Sequence, residues 1–170
     1  IIASTLAKGR TIITNAAVEP EILDLIKFLQ KMGAIIEIST DRKITIEGVD
    51  KLTGAEHSGI PDRNQAASFA CAGIASKGDV FIENAIQDDL ITFLNTVRKV
   101  GGKYEVKENG IRFYYDGELK SIAIETNVHP GFMTDWQQPF VILMTQADGL
   151  SIVHETVYEE RFGYVSELQK

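Results

Sequence analysis

Two glycines, Gly9 and Gly78, open copies of one residue pattern, and this 69-residue period constrains the fold more than any other feature. KGRTIITNAAVEPEILDLIKFL aligns with KGDVFIENAIQDDLITFL, which sets Asn15 on Asn84 and Ala16 on Ala85. At the same 69-residue offset Gly33 falls on Gly102, at the helix ends QKMGA and RKVGG. A third copy opens at Gly149, 71 residues later, as GLSIVHETVYEERFGYV, where Glu155 stands in place of the two asparagines.

Each copy parses alike. RTIIT, DVFIE and LSIVHE are short β-rich runs after a glycine. PEILDLIKFLQKMG carries apolar residues at 22, 25, 26, 29 and 32, one face of a helix, with Pro20 in the first turn and Gly33 as the stop. DDLITFLNTVRKVG repeats that face at 90, 93, 94 and 97. Strand pairs follow, AIIEIST with KITIEGV and KYEVKEN with GIRFYYDG. A further helical run precedes the second and third glycines, AASFACAGIASK and QPFVILMTQAD. The expected fold class is α/β (α+β), built from βαβαββ units, here about two and a half of them. IIASTLAK reads as the tail of a helix, and the third unit as stopping in its second helix. A repeat unit buries its apolar faces against neighbours. With no methionine at its start, the chain is expected to be a piece of something longer, so missing parts of the same polypeptide are its first expected partners.

Composition narrows the class. The 170 residues have an apolar share of 44% and a net charge of −7, a globular balance that argues against general binding to nucleic acid by phosphate neutralisation. The one cysteine, Cys71, lies in AASFACAGIA and reads as a buried thiol; alone it forms no intramolecular disulfide. No apolar run reaches the length of a membrane span and no basic-then-apolar leader is present, so no membrane partner is expected and a cytoplasmic location is. His57, His129 and His154 have no metal-ligand spacing.

Two turns before helices recur, HSGIPDRNQ and VHPGFMTDWQQ. Asp62 and Asp135 stand in equivalent places, 16 and 14 residues before their glycines. An aspartate there caps the helix by accepting bonds from free backbone amides. For Asp135 a second reading stays open, a carboxylate facing a cleft. Its turn crowds His129, Asp135, Gln137 and Gln138 against the apolar run FVILM, and polar groups there must be satisfied or used. Pro139 is expected early in its helix, where proline is tolerated.

At IPDR, HPGFMTD and ETVYEERF the chain resembles the enolpyruvyl transferases, and the similarity runs from the first residue to the last. Within that family the pattern is most similar to members whose acceptor is UDP-N-acetylglucosamine. The resemblance implies an inside-out barrel of six units in two lobes of three, closing over the substrates. Residues 1–59 would be the last unit of one lobe and residues 60–170 the first part of the other. The implied reaction transfers the enolpyruvyl group of phosphoenolpyruvate to the 3′-hydroxyl of UDP-N-acetylglucosamine, the first committed step of peptidoglycan synthesis, with no cofactor and no metal. Residue by residue, Asp135 matches the aspartate beside the sugar hydroxyl and Thr134 its neighbour at the same substrate. Val157 matches a residue whose backbone meets the nucleotide sugar, and Arg161 an arginine at the rim. Glu19 and Arg63 match charged residues near the cleft. The family's lysine–asparagine pair, its mobile loop with a cysteine or aspartate acid, and several phosphate-binding arginines have no counterpart among these residues. After PDR the family usually carries an isoleucine–glutamate pair, where this chain has Asn64 and Gln65. A 3-phosphoshikimate acceptor, or a catalytically silent scaffold, are the alternative readings.

Overall fold

A computed structural model describes all 170 residues, in two compact units, Ile1–Ile60 and Pro61–Lys170.

In the first unit a 3-10 turn, Ala3–Leu6, precedes β1 (Arg10–Ile13), α1 (Pro20–Lys31), β2 (Ile35–Ser39) and β3 (Lys43–Glu47). The strands form one antiparallel sheet in the order β1-β3-β2. Alternation along β3 sends Ile44 and Ile46 fully into the core. There they meet Ile26 and Leu29 of α1, with Ile36 from β2. Pro20 opens α1 as expected, and Gly33, at φ +100°, takes the left-handed turn that ends it. Beyond Glu47 the chain has no regular structure but is tied to α1. Thr53 N–H donates to the Met32 carbonyl at 2.8 Å, and the His57 Nε2 and Asp24 Oδ1 atoms lie 3.0 Å apart.

The second unit runs α2 (Arg63–Ala75), β4 (Asp79–Glu83), a 3-10 turn (Asp88–Leu90), α3 (Ile91–Val100), β5 (Lys103–Lys107), β6 (Gly110–Tyr114), β7 (Ala123–Glu125), α4 (Thr134–Met144), β8 (Ile152–His154) and α5 (Val165–Leu168). Its antiparallel sheet has the order β4-β6-β5, the order of the first unit, so the repeat is structural. Asn15 and Asn84, at φ 51° and 60°, make the same left-handed turn after β1 and β4. Strand β7, in SIAIE, was not anticipated. It pairs in parallel with β8, and the crossover between them is α4. Helices α2 and α4 pack together over a core centred on Phe93. That ring meets Trp136 and Phe140 edge-on at 5.6 and 5.8 Å. Cys71 is buried in α2, and burial pushes its thiol far above the ordinary range.

Three details correct the sequence reading. Gly102 is not the counterpart of Gly33: the left-handed residue after α3 is Gly101, at φ +98°. Gly102 is glycine for lack of room, since a Cβ there would stand 2.9 Å from Ile74 Cδ1 and Val97 Cγ1. Asp62 and Asp135 are not equivalent either. Asp62 caps α2, its Oδ1 accepting from the N–H groups of Asn64 at 2.8 Å and Gln65 at 3.1 Å. The N-cap of α4 is Met133, which leaves Asp135 as the second helical residue with its carboxylate uncommitted to capping. Pro139 is the sixth residue of α4, not an early one, and has no N–H to donate to the Asp135 carbonyl four residues back.

Candidate functional site

The site forms at one end of the second unit, where the start of α4 meets the turn after β8. Asp135 projects from the first turn of α4 with its side chain 47% exposed, and Arg161 Nη2 donates to its Oδ1 at 2.6 Å. The Arg161 guanidinium also lies over the Tyr158 ring, 5.1 Å from its centroid. With its amide turned to satisfy both ends, Gln138 accepts from Arg161 Nε at 2.9 Å and donates to the Thr134 carbonyl at 3.2 Å. A carboxylate and an arginine therefore meet at a helix start, a chemistry that suits a hydroxyl beside an anionic group.

Beneath them is Glu155. Its Oε2 accepts from Thr134 Oγ1 at 2.9 Å and Gln137 Nε2 at 3.1 Å. Its Oε1 accepts from the N–H groups of Val157 at 2.8 Å and Tyr158 at 3.1 Å. Burial raises this carboxyl, but bonds from Val157 N–H, the Thr126 and Thr134 hydroxyls and Tyr158 N–H outweigh it and hold the group below the usual range. Gln137 is fully buried and satisfied on its other side, where Tyr164 O–H donates to its Oε1 at 2.8 Å. Burial, with Glu155 nearby, pushes the Tyr164 hydroxyl up.

The first residue of α2 lies beside this group. Arg63 is only 5% exposed, 3.4 Å from His129 Nδ1 and over the Trp136 ring at 5.6 Å. Trp136 Nε1 donates to Asn64 Oδ1 at 2.9 Å, joining the starts of α2 and α4. The His129–Pro130 bond in the adjoining turn is cis. The structure thus brings together Asp135, Thr134, Val157 and Arg161, with Arg63 at the neighbouring helix start. Glu19 belongs to the first unit, at the N-cap position of α1, where its side chain makes no capping bond. Sequence reasoning missed Glu155, Gln137 and Tyr164 as members of the network. One signal was available, the glutamate that interrupts an otherwise repeated asparagine.

The family model described as EPSP synthase (3-phosphoshikimate 1-carboxyvinyltransferase) matches residues 1–170. The chain belongs to the EPSP synthase family. Among the relatives of this EPSP synthase-family chain is the UDP-N-acetylglucosamine 1-carboxyvinyltransferase of Protochlamydia amoebophila (strain UWE25). It is 57% identical over 171 residues, covering 100% of this chain and 37% of its own. The protein of the same name from Chlamydia muridarum (strain MoPn / Nigg) is 53% identical, with 100% and 39% covered. The EPSP synthase-family chain thus spans less than two fifths of the length of these relatives. The crystal structure of the enolpyruvyl transferase NikO from Streptomyces tendae superposes with a TM-score of 0.84 at 20% identity, over 98% of this chain and 40% of that one. At that identity the likeness speaks for the fold, and it bears out the α/β enolpyruvyl-transferase architecture expected from the resemblance.

Proposed function

We propose that these residues are part of an enzyme that moves the enolpyruvyl group of phosphoenolpyruvate to the 3′-hydroxyl of UDP-N-acetylglucosamine. The observation that carries the reading is the Asp135–Arg161 pair, with the neighbouring Thr134 hydroxyl and Val157 N–H both held by Glu155. Relatives named for this activity align over the whole chain. Residues 1–59 are assigned to the last unit of one lobe and residues 60–170 to the first part of the other.

In the reaction the sugar oxygen bonds to C2 of phosphoenolpyruvate while C3 gains a proton. The C2–oxygen bond to phosphate then breaks, phosphate leaves with the electron pair, and C3 gives up a proton to restore the double bond. An alcohol is a weak nucleophile, so a base positioned to take its proton lowers the barrier. Asp135 is assigned that role. Thr134 and the Val157 backbone hold the nucleotide sugar, Arg161 and Arg63 offset anionic charge, and Glu19 is assigned to substrate binding by the resemblance alone. In the cell the product feeds peptidoglycan synthesis, and through it cell-wall growth, shape and division, in the cytoplasm. No helix of the chain is long and apolar enough to cross a membrane.

The test is phosphate release by the full-length protein given phosphoenolpyruvate with either UDP-N-acetylglucosamine or 3-phosphoshikimate. Turnover with the nucleotide sugar is expected. Turnover with 3-phosphoshikimate alone would transfer the reading to the acceptor named in the family description. Silence with both would leave a binding scaffold, the reading that Gln65 favours.

A further inference from the structure

Position 155 is where the internal repeat breaks. In the first two units the matching residue is an asparagine in a left-handed turn, and Asn84 N–H donates to the Asn109 carbonyl at 2.8 Å, closing that turn onto the hairpin of its own sheet. In the third unit the residue is Glu155, outside the left-handed region, and its bonds run elsewhere. One carboxylate oxygen takes the Val157 and Tyr158 amides, which begin the turn leading to Arg161. The other takes the Thr134 hydroxyl and the Gln137 amide, which lie on either side of Asp135 in the first turn of α4. Each oxygen therefore holds a different segment, and a carboxylate is a rigid spacer. Gln137 extends the tie through Tyr164, beyond Arg161 in the chain. A local departure from an otherwise consistent pattern is where functional demands are expected to show.

On the acceptor reading proposed above, we infer that Glu155 is a positioning residue for the transfer reaction. It sets the separation between the α4 start carrying Asp135 and the turn carrying Val157 and Arg161. Glu155 touches neither reacting atom; it acts through the residues it holds. A side chain that supported only the fold would affect how much protein folds, not the turnover of the folded protein.

The experiment uses the full-length protein with phosphoenolpyruvate and UDP-N-acetylglucosamine. Glu155→Gln offers one acceptor oxygen in place of two, so one of the two segments loses its tie. Its kcat should fall about 10- to 100-fold, the scale of a sub-ångström to ångström displacement of reacting groups. In an Asp135→Asn background the same change should alter kcat by less than about threefold, because groups acting as a unit are not additive. Should Glu155→Gln not fold, Glu155→Asp keeps both oxygens and the charge but shortens the reach, and a drop of about tenfold is expected of it. A folded Glu155 variant with kcat within about threefold of the parent, or one whose loss adds fully to that of Asp135→Asn, overturns the role while leaving the acceptor reading intact. A parent protein that does not turn over UDP-N-acetylglucosamine overturns the acceptor reading, and this role with it.

Discussion

Asp135 carries the most weight of any single residue. Because Met133 is the N-cap of α4, Asp135 is free of capping and bonds Arg161 instead. Asparagine keeps its size and one acceptor oxygen but cannot take a proton. Asp135→Asn in the full-length protein should bind UDP-N-acetylglucosamine nearly normally while kcat falls by roughly 10²–10⁴, the usual loss with a general base. Steady-state kinetics beside a thermal melt checks this, and a kcat within about threefold of the parent would remove Asp135 from catalysis. Two other carboxylates contribute to the response to acid, beside Asp79, lowered by its Arg112 bond, and Glu105, lowered by its Lys107 bond. The Asp24 carboxyl is held below its ordinary value chiefly by the His57 bond, against an opposing push from burial, with the Ile60 N–H adding to the lowering; that of Glu155 is lowered as described. A lowered folded-state pKa contributes stability that is fully present above the unfolded value, near 3.9 for Asp and 4.3 for Glu, and is lost as pH falls through the folded one. Urea midpoints of the chain should therefore hold steady down to about pH 4.5 and then decline. Asp24→Asn and Glu155→Gln should each flatten that decline, and an unchanged slope in both would count against these two groups.

At the level of elements, α2 and α4 are the same helix of the repeat with different starts. Each begins 15 residues before its glycine, Arg63 before Gly78 and Thr134 before Gly149. The first is capped by Asp62; the second has a methionine at the cap, and Thr134, its first residue, reaches Glu155. On the proposed reading, capping has been given up where the helix start serves the site. Asp62→Ala should cost about 1 kcal/mol, as lost aspartate caps do, seen as a lower urea midpoint of the chain. Loss within about 0.3 kcal/mol, below the range for caps, would mean that the cap contributes nothing net. Trp136 joins the same two helix starts through Asn64 while filling the core beside Phe93. Trp136→Ala should therefore cost about 3–5 kcal/mol, the range for a buried aromatic, by the same measurement. The helix faces at 22, 25, 26 and 29 and at 90, 93, 94 and 97 were legible from spacing alone, since a 3.6-residue period survives whatever lies opposite. Strand β7 was not: it has three residues and gains its register from β8, 29 positions further along.

For the whole molecule, the decisive fact is coverage. The 170 residues align end to end with relatives of which they form 37% and 39%. By resemblance, the groups that bind phosphoenolpyruvate and deliver the proton have no counterpart among these residues. Catalysis by a constellation collapses when members are lost. The 170-residue chain alone, given both substrates, should release no phosphate above background; measurable release would overturn the assignment of those roles to residues outside this stretch. The first unit has a core of seven buried apolar residues, the second one of twenty, so the second is the better candidate for folding independently.

By itself, the sequence determined the repeat, the helix faces, the Gly33 stop, the Asp62 cap and, through the ETVYEERF and HPGFMTD segments, the family. These are local patterns or matches along the chain, and local backbone preference expresses them in any context. Only the tertiary structure decided that Asp135 is not a cap and that Glu155 holds two segments at once. Each of those depends on which atoms lie opposite across the fold: Arg161 reaching Asp135, Thr134 and Gln137 converging on one carboxylate oxygen. Residues 18 to 26 positions apart meet there because β8 lies parallel to β7 with α4 as the crossover, and hydrogen-bond partners at that range are set by the packing of elements, which spacing along the chain does not encode.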